Sequence, residues 1–483
     1  MSESLPYGFA RTNGVLVADD ACLHRANAPL AALMEVQRLH GSLLPWRQLD
    51  DATFERALQT HYRDVATGAA GAAAEADVDL AALADSVSAV EDLLDTSDDS
   101  PVIRLINALL LEAVKAHASD IHIETQERRL IVRFRIDGML RDVIEPNRAL
   151  APLLVSRIKV MARLDIAEKR VPHDGRVTVR VGGHEIDVRV STIPTQHGER
   201  VVMRLLDRGQ VQLDLTTLGM NPPDLALFER LLERPHGMLL VTGPTGSGKT
   251  TSLYAALRQL NDRKRNIMTI EDPIEYELPG IGQTQVNPRT DLSFARGLRA
   301  ILRQDPDVIM VGEIRDQETA EVAVRSAMTG HFMLSTLHTN SAVGSVTRLV
   351  DMGVERYLLA PMLVGLVAQR LVRRLCPACR VPAEADPRDS LLLDGAIAVG
   401  EGIFRPVGCP ACHGEGYRGR MGLYEIVAVD AAMAQLIHDG APEAALVEHA
   451  RANGPSLLED GAAKVRVGET SVDEVARVTR MEG

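Results

Sequence analysis

Nine residues, Gly243-Pro-Thr-Gly-Ser-Gly-Lys-Thr-Thr251, limit what this chain can fold into more than any other stretch. They follow the apolar run Gly237-Met-Leu-Leu-Val-Thr242 and lead into Ser252-Leu-Tyr-Ala-Ala-Leu-Arg-Gln-Leu260, an amphipathic helical pattern. A buried strand, a glycine-rich turn and a helix opening on Lys-Thr form a phosphate loop in the context that motif requires. Gly243, Gly246 and Gly248 allow torsions in which successive N–H groups converge on phosphate oxygens, with Pro244, Thr245, Ser247 and Thr251 completing the cradle. Lys249 is placed for the β- and γ-phosphates and Thr250 for Mg²⁺, while the positive end of the helix faces the anion. The chain is therefore expected to bind a nucleoside triphosphate.

At 483 residues it is too long for one core, and roughly two to four domains are expected. No apolar run reaches the length of a membrane-spanning helix, and the opening Met-Ser-Glu-Ser-Leu-Pro has no signal-peptide character, which predicts a cytoplasmic protein. A formal charge of −13 with only 3% aromatic residues argues against a nucleic-acid partner, since such surfaces need basic grooves and stacking rings.

The fold class is α/β, in six segments. Residues 1–66 form a small amino-terminal domain with a helix-like stretch at Ala31–Leu39. Residues 67–99 hold a small-residue stretch, Thr67–Ala74, read as a linker or as a weakly specified helix, and an amphipathic helix at 79–94. A break at Thr96–Pro101 follows. Residues 100–212 combine a helix (102–116) with period-two strands at Ile121–Glu124, Leu130–Ile136, Val177–Val181 and Ile186–Val190, and turns at Asp137-Gly138 and Gly182-Gly183, giving an α+β domain. Residues 213–371 contain the phosphate loop, and their alternating strands and helices predict a mainly parallel sheet covered on both faces. A tetracysteine module (372–420) and a carboxyl-terminal helical region (421–483) complete the chain.

Downstream, Asp307-Val-Ile-Met-Val-Gly-Glu-Ile-Arg-Asp316 reads as an apolar strand, expected beside the phosphate-loop strand and ending in an acidic residue. Gly312 stands where many such enzymes place a Mg²⁺-ordering Asp, which leaves Thr250 as the main metal contact and Glu313 as the base or water-positioner. Glu271, Asp272 and Glu275 cluster after the run Ile267–Ile270. They either hold Mg²⁺ and polarise the attacking water or form a solvated acidic turn, and the residues alone do not choose. His338, after Phe332–Leu337, is a γ-phosphate sensor or a structural histidine.

Four of the five cysteines pair as Cys376-Pro-Ala-Cys379 and Cys409-Pro-Ala-Cys412. Matched pairs at this spacing predict a closed tetrathiolate site for structural Zn²⁺, stapling a loop of about thirty residues without a strong core pattern. A redox dithiol is the competing reading. Cys22 stands apart as a small buried apolar residue.

Taken together, the phosphate loop, Ile270–Glu277, Asp307–Asp316 and Gly330–Asn340 resemble the Walker A, Asp box, Walker B and His box motifs of the secretion ATPase superfamily, most closely its type II secretion E branch. The likeness extends through Ala118–Glu124, Arg157–Ala162, Leu164–Arg170, Asp187–Thr192 and His197–Leu206, and more weakly through Leu5–Ala10. It implies a RecA-like ATPase core with the preceding α+β domain, the amino-terminal domain and a zinc-binding insert. It also implies ATP hydrolysis with Mg²⁺ by a homohexamer on the cytoplasmic face of the inner membrane. The expected partners are the cytoplasmic domain of the inner-membrane type II secretion protein L, which residues 1–66 would dock, and the platform protein F. By position it carries over Arg189 and Arg204 as arginines turned toward the nucleotide, and Arg299 and Arg303 as site-lining cations; without the likeness, Arg189 and Arg204 read as a solvated strand face. The type IV pilus assembly ATPases are the alternative branch, and Leu213-Asp-Leu with Leu218-Gly-Met220 favours secretion.

Overall fold

The structure, a computed structural model, describes residues 13–18, 21–40, 44–51, 53, 54, 57, 80, 101–181, 184–207 and 214–480. The linker at 67–74, the helix at 79–94 apart from residue 80, the break at 96–100, the stretch 5–10, the turn at 182–183 and residue 213 lie outside them. The chain divides into two compact units, residues 1–136 with 140–209 and residues 137–139 with 210–483.

The first unit opens with a small sheet, β1 (Val15–Ala18), β2 (Ala21–Arg25) and β3 (Trp46–Leu49), with the helix Leu30–His40 between β2 and β3. Cys22 is fully buried there beside Val15, Ala32, Leu33 and Val36, as its isolation predicts. The helix Pro101–Lys115 then leads into β4 (Ala118–Thr125), β5 (Leu130–Ile136) and β6 (Met139–Ile144). The helix Ala151–Met161 precedes β7 (His173–Val181), β8 (His184–Thr195) and β9 (Gly198–Asp207). The six strands run in the order β6-β5-β4-β9-β8-β7, antiparallel at β4–β5, β4–β9, β8–β9 and β7–β8. Leu105, Ile106 and Leu109, spaced for one helix face, pack on Ile121, Ile123, Val132 and Phe134 from alternate strand positions. This is the expected α+β domain.

The second unit is built on seven strands. In chain order these begin with β10 (Gly237–Thr242), β11 (Ile267–Glu271), β12 (Gly282–Gln285), β13 (Val308–Val311) and β14 (Phe332–Leu337). After them come β15 (Leu363–Leu375), the separate pair β16 (Val381–Glu384) and β17 (Gly402–Arg405), and β18 (Tyr417–Ala428). The large sheet runs β12-β11-β13-β14-β10-β15-β18, parallel until β18 turns antiparallel on β15. Its strands are buried on both faces, and the period of two divides them between two cores. Met238, Leu240, Ile309, Val311 and Met333 face one core; Leu239, Val241, Val308, Met310 and Leu334 face the other, against the helices Pro222–Leu232 and Lys249–Leu260.

Three expectations change. The boundary at 421 falls inside β18, which completes the large sheet, so the carboxyl-terminal region opens with a strand before its four helices (Ala431–His438, Glu443–Asn453, Leu457–Arg466 and Val472–Thr479). The loop between the cysteine pairs does have a core: Ala385, Leu393, Ile397 and Ile403 are buried in the same cluster as residues of the last two helices. Finally, β13 does not lie beside β10, because β14 is inserted between them.

Candidate functional site

Parallel strands deliver their carboxyl ends to one edge of the sheet, which is where α/β sheets bind ligands. Here β10 leads into Gly243, β11 into Asp272 and β14 into His338, and Glu313 follows β13 by two residues. Thr242 fixes the first of these ends. Its Oγ1 lies 2.7 Å from Thr339 Oγ1 and accepts from Thr339 N–H at 2.9 Å, tying the phosphate loop to the residue after His338. Gly243 (φ 147°) and Gly248 (φ 88°) have torsions that L side chains rarely adopt, and a Cβ would meet Gln369 O at 2.4 Å and Gln369 Nε2 at 2.8 Å. Glycine is required at both.

Lys249 opens the helix and is buried, its Nζ donating to Gly243 O at 2.7 Å and Pro244 O at 3.0 Å. Burial pulls its pKa down to about 8; Glu313 opposes the shift and the Arg370 charge adds to it. Thr250, the next residue, is exposed. Glu313 is held from two sides, by a salt bridge to Arg315 and by His338 Nε2 at 3.4 Å from Oε2. Burial, reinforced by Lys249, lowers the His338 pKa below that of a free imidazole although Glu313 pulls the other way, so the ring is neutral at pH 7. The inserted β14 ends at His338, which lies beside Glu313 and feels the charge of Lys249.

The acidic cluster divides. Glu271 is 3% exposed and accepts from Tyr254 Oη, from Thr269 Oγ1 at 2.6 Å and from Gln283 Nε2 at 3.0 Å. Both of its oxygens are thus engaged by protein donors in the interior. Asp272 is exposed, and its charge reaches Arg315. Glu275 is half-buried on the same loop, its N–H donating to Tyr254 Oη at 3.2 Å.

The four expected arginines are divided between the two units. Arg299, on the helix Phe294–Ile301, pairs with Glu318 Oε1 at 2.7 Å, and Arg303 donates back to the Arg299 carbonyl at 2.8 Å. Arg189 and Arg204 belong to the first unit, where they sit opposite each other on β8 and β9. Like charges so placed repel, and the buried Asp120 offsets this by accepting from Arg204 Nε at 2.9 Å.

Sequence reasoning missed Gln369 and Arg370. They lie mid-strand on β15, adjacent to β10, and both are buried. Gln369 Oε1 accepts from Ser252 Oγ at 2.9 Å on the phosphate-loop helix, and Arg370 donates to Asn340 O at 2.7 Å. The available signal was a Gln-Arg pair interrupting the apolar run Leu363–Ala368. Tyr254 was also missed, since an aromatic residue on an amphipathic helix reads as core.

The four cysteines converge. Their sulfurs lie within 4.8 Å of one another, with separations of 3.9 Å (Cys376–Cys409), 3.8 Å (Cys379–Cys412) and 3.7 Å (Cys409–Cys412). Four thiolates about 2.3 Å from one tetrahedral ion sit about 3.8 Å apart, so this set fits a metal without rearrangement. The N–H groups of Cys409 and Gly416 point at Cys412 Sγ at 3.2 and 3.1 Å, the outer-shell support a thiolate needs.

Known proteins resemble this chain over most of its length. Residues 95–477 match the family described as type II/IV secretion system protein, and residues 4–62 match an amino-terminal domain family of GSPII protein E. Type II secretion system protein E of Pseudomonas aeruginosa is 56% identical over 99% of this chain and 96% of its own length. Type II secretion system ATPase E of Vibrio cholerae is 53% identical over 99% of this chain and 96% of its own length. Among solved structures, the pilus retraction motor PilT, crystallised with ADP, is 26% identical with a TM-score of 0.54, over 77% of this chain and 96% of its own. The Legionella pneumophila ATPase DotB shares the fold at 22% identity, with a TM-score of 0.60 over 78% of this chain and 96% of its own.

Proposed function

We propose a specific working arrangement on the premise that this chain belongs to the type II/IV secretion system protein family and, within it, to the E proteins of type II secretion. It is a secretion ATPase, and its close relatives place it with type II secretion and not with pilus assembly. In our reading it hydrolyses ATP to ADP and phosphate and drives pseudopilus assembly, and thereby the export of folded proteins across the outer membrane.

One observation carries this reading: Lys249, Glu313 and His338 meet in a single charged cluster at the carboxyl edge of the parallel sheet. The loop 243–251 holds the phosphates. Thr250 and Asp272 would hold Mg²⁺, which would offset charge on the transferring phosphoryl group. Glu313 orients and deprotonates the attacking water, Glu275 supports it, and neutral His338 reports the γ-phosphate to Glu313. Arg315 releases Glu313 when nucleotide arrives. Arg189 and Arg204 would be turned toward the nucleotide, and Arg299 and Arg303 would line its site after leaving their present partners. An arginine delivered by another element accelerates phosphoryl transfer by roughly 10³–10⁵ and links chemistry to domain position. The cysteine cluster holds structural Zn²⁺.

The working form is a homohexamer on the cytoplasmic face of the inner membrane, recruited when residues 1–66 dock the cytoplasmic domain of protein L, with protein F as the platform it acts on. No helix among the described residues is long and apolar enough to cross a membrane, which fits attachment through a partner. The test is ATP turnover of the purified protein with and without the protein L domain, with particle mass measured alongside. Turnover that rises with hexamer mass on adding protein L is expected; unchanged mass and turnover would overturn the assembly.

A further inference from the structure

One carboxylate near the site, held by three side-chain donors, has no role in the scheme above. Glu271 ends β11 in the interior, where an ionised group needs full hydrogen bonding to be tolerated. Thr269 Oγ1 donates to it at 2.6 Å and Gln283 Nε2 at 3.0 Å, while Tyr254 Oη donates to its other oxygen. Gln283 also donates to Tyr276 O at 3.0 Å and accepts from Leu278 N–H at 2.7 Å, so it ties down the loop that follows β11.

Tyr254 joins this network to the nucleotide. It is fully buried on the helix Lys249–Leu260, four residues after Thr250, so its side chain lies one turn along the same helix face. Its hydroxyl does two things at once, donating to Glu271 and accepting the Glu275 N–H at 3.2 Å. Its ring packs edge-on against Tyr276, centroids 6.0 Å apart. One hydroxyl thus clamps both ends of the segment 271–275 to the helix that carries the phosphate-loop lysine and threonine.

We infer that Tyr254 is a positioning residue for the magnesium site: through Glu271 and the Glu275 backbone it sets Asp272 and Glu275 at a fixed distance from Thr250. Phosphate binding to the loop settles the start of this helix, and the clamp transmits that placement to the acidic segment. Glu271 is the anchor that holds the phenol and makes no contact with the ion. The inference rests on the reading of Asp272 beside Mg²⁺.

Tyr254→Phe keeps the ring and removes only the hydroxyl. ATP turnover of the full-length protein is measured against Mg²⁺ concentration at fixed ATP, alongside Mg²⁺-free binding of a fluorescent ADP analogue. The Mg²⁺ needed for half-maximal turnover should rise about tenfold, the size of one lost hydrogen bond to a charged group, with ADP affinity unchanged. Asp272→Asn is run in parallel and should raise the requirement at least as much. If Asp272→Asn shifts the Mg²⁺ profile and Tyr254→Phe lowers turnover without shifting it, Tyr254 is merely structural and the inference fails while the magnesium reading stands. If Asp272→Asn leaves the profile unmoved, that reading fails and takes the inference with it. Should Tyr254→Phe not fold, Thr269→Val removes a donor to the same carboxylate, and its profile decides the matter in the same way.

Discussion

The nucleotide edge of the sheet and the cysteine module are reached by one strand, β15, the first at its middle and the second at its carboxyl end, and they satisfy their polar groups in opposite ways. At the nucleotide edge Lys249 leans on two loop carbonyls and Glu313 on Arg315, partners that a ligand can replace. A ligand can take over each contact without leaving a buried group unmet. In the cysteine module the four donors already meet around one point at metal spacing, and no position is left for exchange. The first is built to change partners during a cycle and the second to hold one arrangement throughout.

The largest effect expected from breaking that contrast is at Lys249. Lys249→Ala should remove at least about 10³-fold of ATP turnover, since a cation at the phosphates is lost from the cradle, and secretion should stop; full secretion in cells carrying it would refute the motor role. Glu313→Gln should cost roughly 10²–10⁴-fold in turnover, the contribution of a general base, yet retain ATP binding. Filter-binding and single-turnover assays separate the two, and loss of binding with turnover would mean that Glu313 serves the ground state instead.

On the other side, Cys376→Ser should lower bound zinc and destabilise the module, because structural zinc sites supply apparent energies of about 10–16 kcal/mol. ATP binding at the far edge should survive. Metal content by atomic emission and a thermal melt check this, and an unchanged metal content and melt would rule out the site.

Both regions were legible for the same reason: each uses residues that have no cheap substitute. Glycines with strained torsions announced the phosphate loop, and two matched Cys-x-x-Cys pairs announced the module. Gln369, Arg370 and Tyr254 escaped because their chemistry depends on which strand lies beside which, and strand order leaves no local trace. The same blindness hid the insertion of β14 between β10 and β13. β18 escaped because Met421–Val427 is buried on both faces and so lacks the alternation that marks a half-exposed strand.

A milder perturbation uses pH. Without nucleotide Lys249 titrates at about 8, well below the ordinary 10.5. Bound phosphates favour its charged form, so above pH 8 binding must take up a proton. ATP affinity should be flat below that point and fall above it, by up to about tenfold per pH unit. Calorimetry in buffers of different ionisation enthalpy reads the proton directly, and the uptake should vanish in Lys249→Ala. The cysteine cluster has no part in this dependence, so Cys376→Ser should leave it intact.

The smallest effect tests whether the middle of β15 and its carboxyl end communicate at all. Gln369→Ala removes the acceptor for buried Ser252 and should weaken ATP binding a few-fold, consistent with about 1 kcal/mol for one neutral hydrogen bond. Gln369 lies seven residues before Cys376 on an extended strand, so the two are separated by about 20 Å. Sites that far apart without shared partners normally add. The double variant Gln369→Ala with Cys376→Ser should therefore show the sum of the single effects on ATP affinity within about 0.5 kcal/mol. A larger discrepancy would mean that the strand carries strain between the two sites, and the cysteine module would then belong to the nucleotide cycle instead of standing outside it.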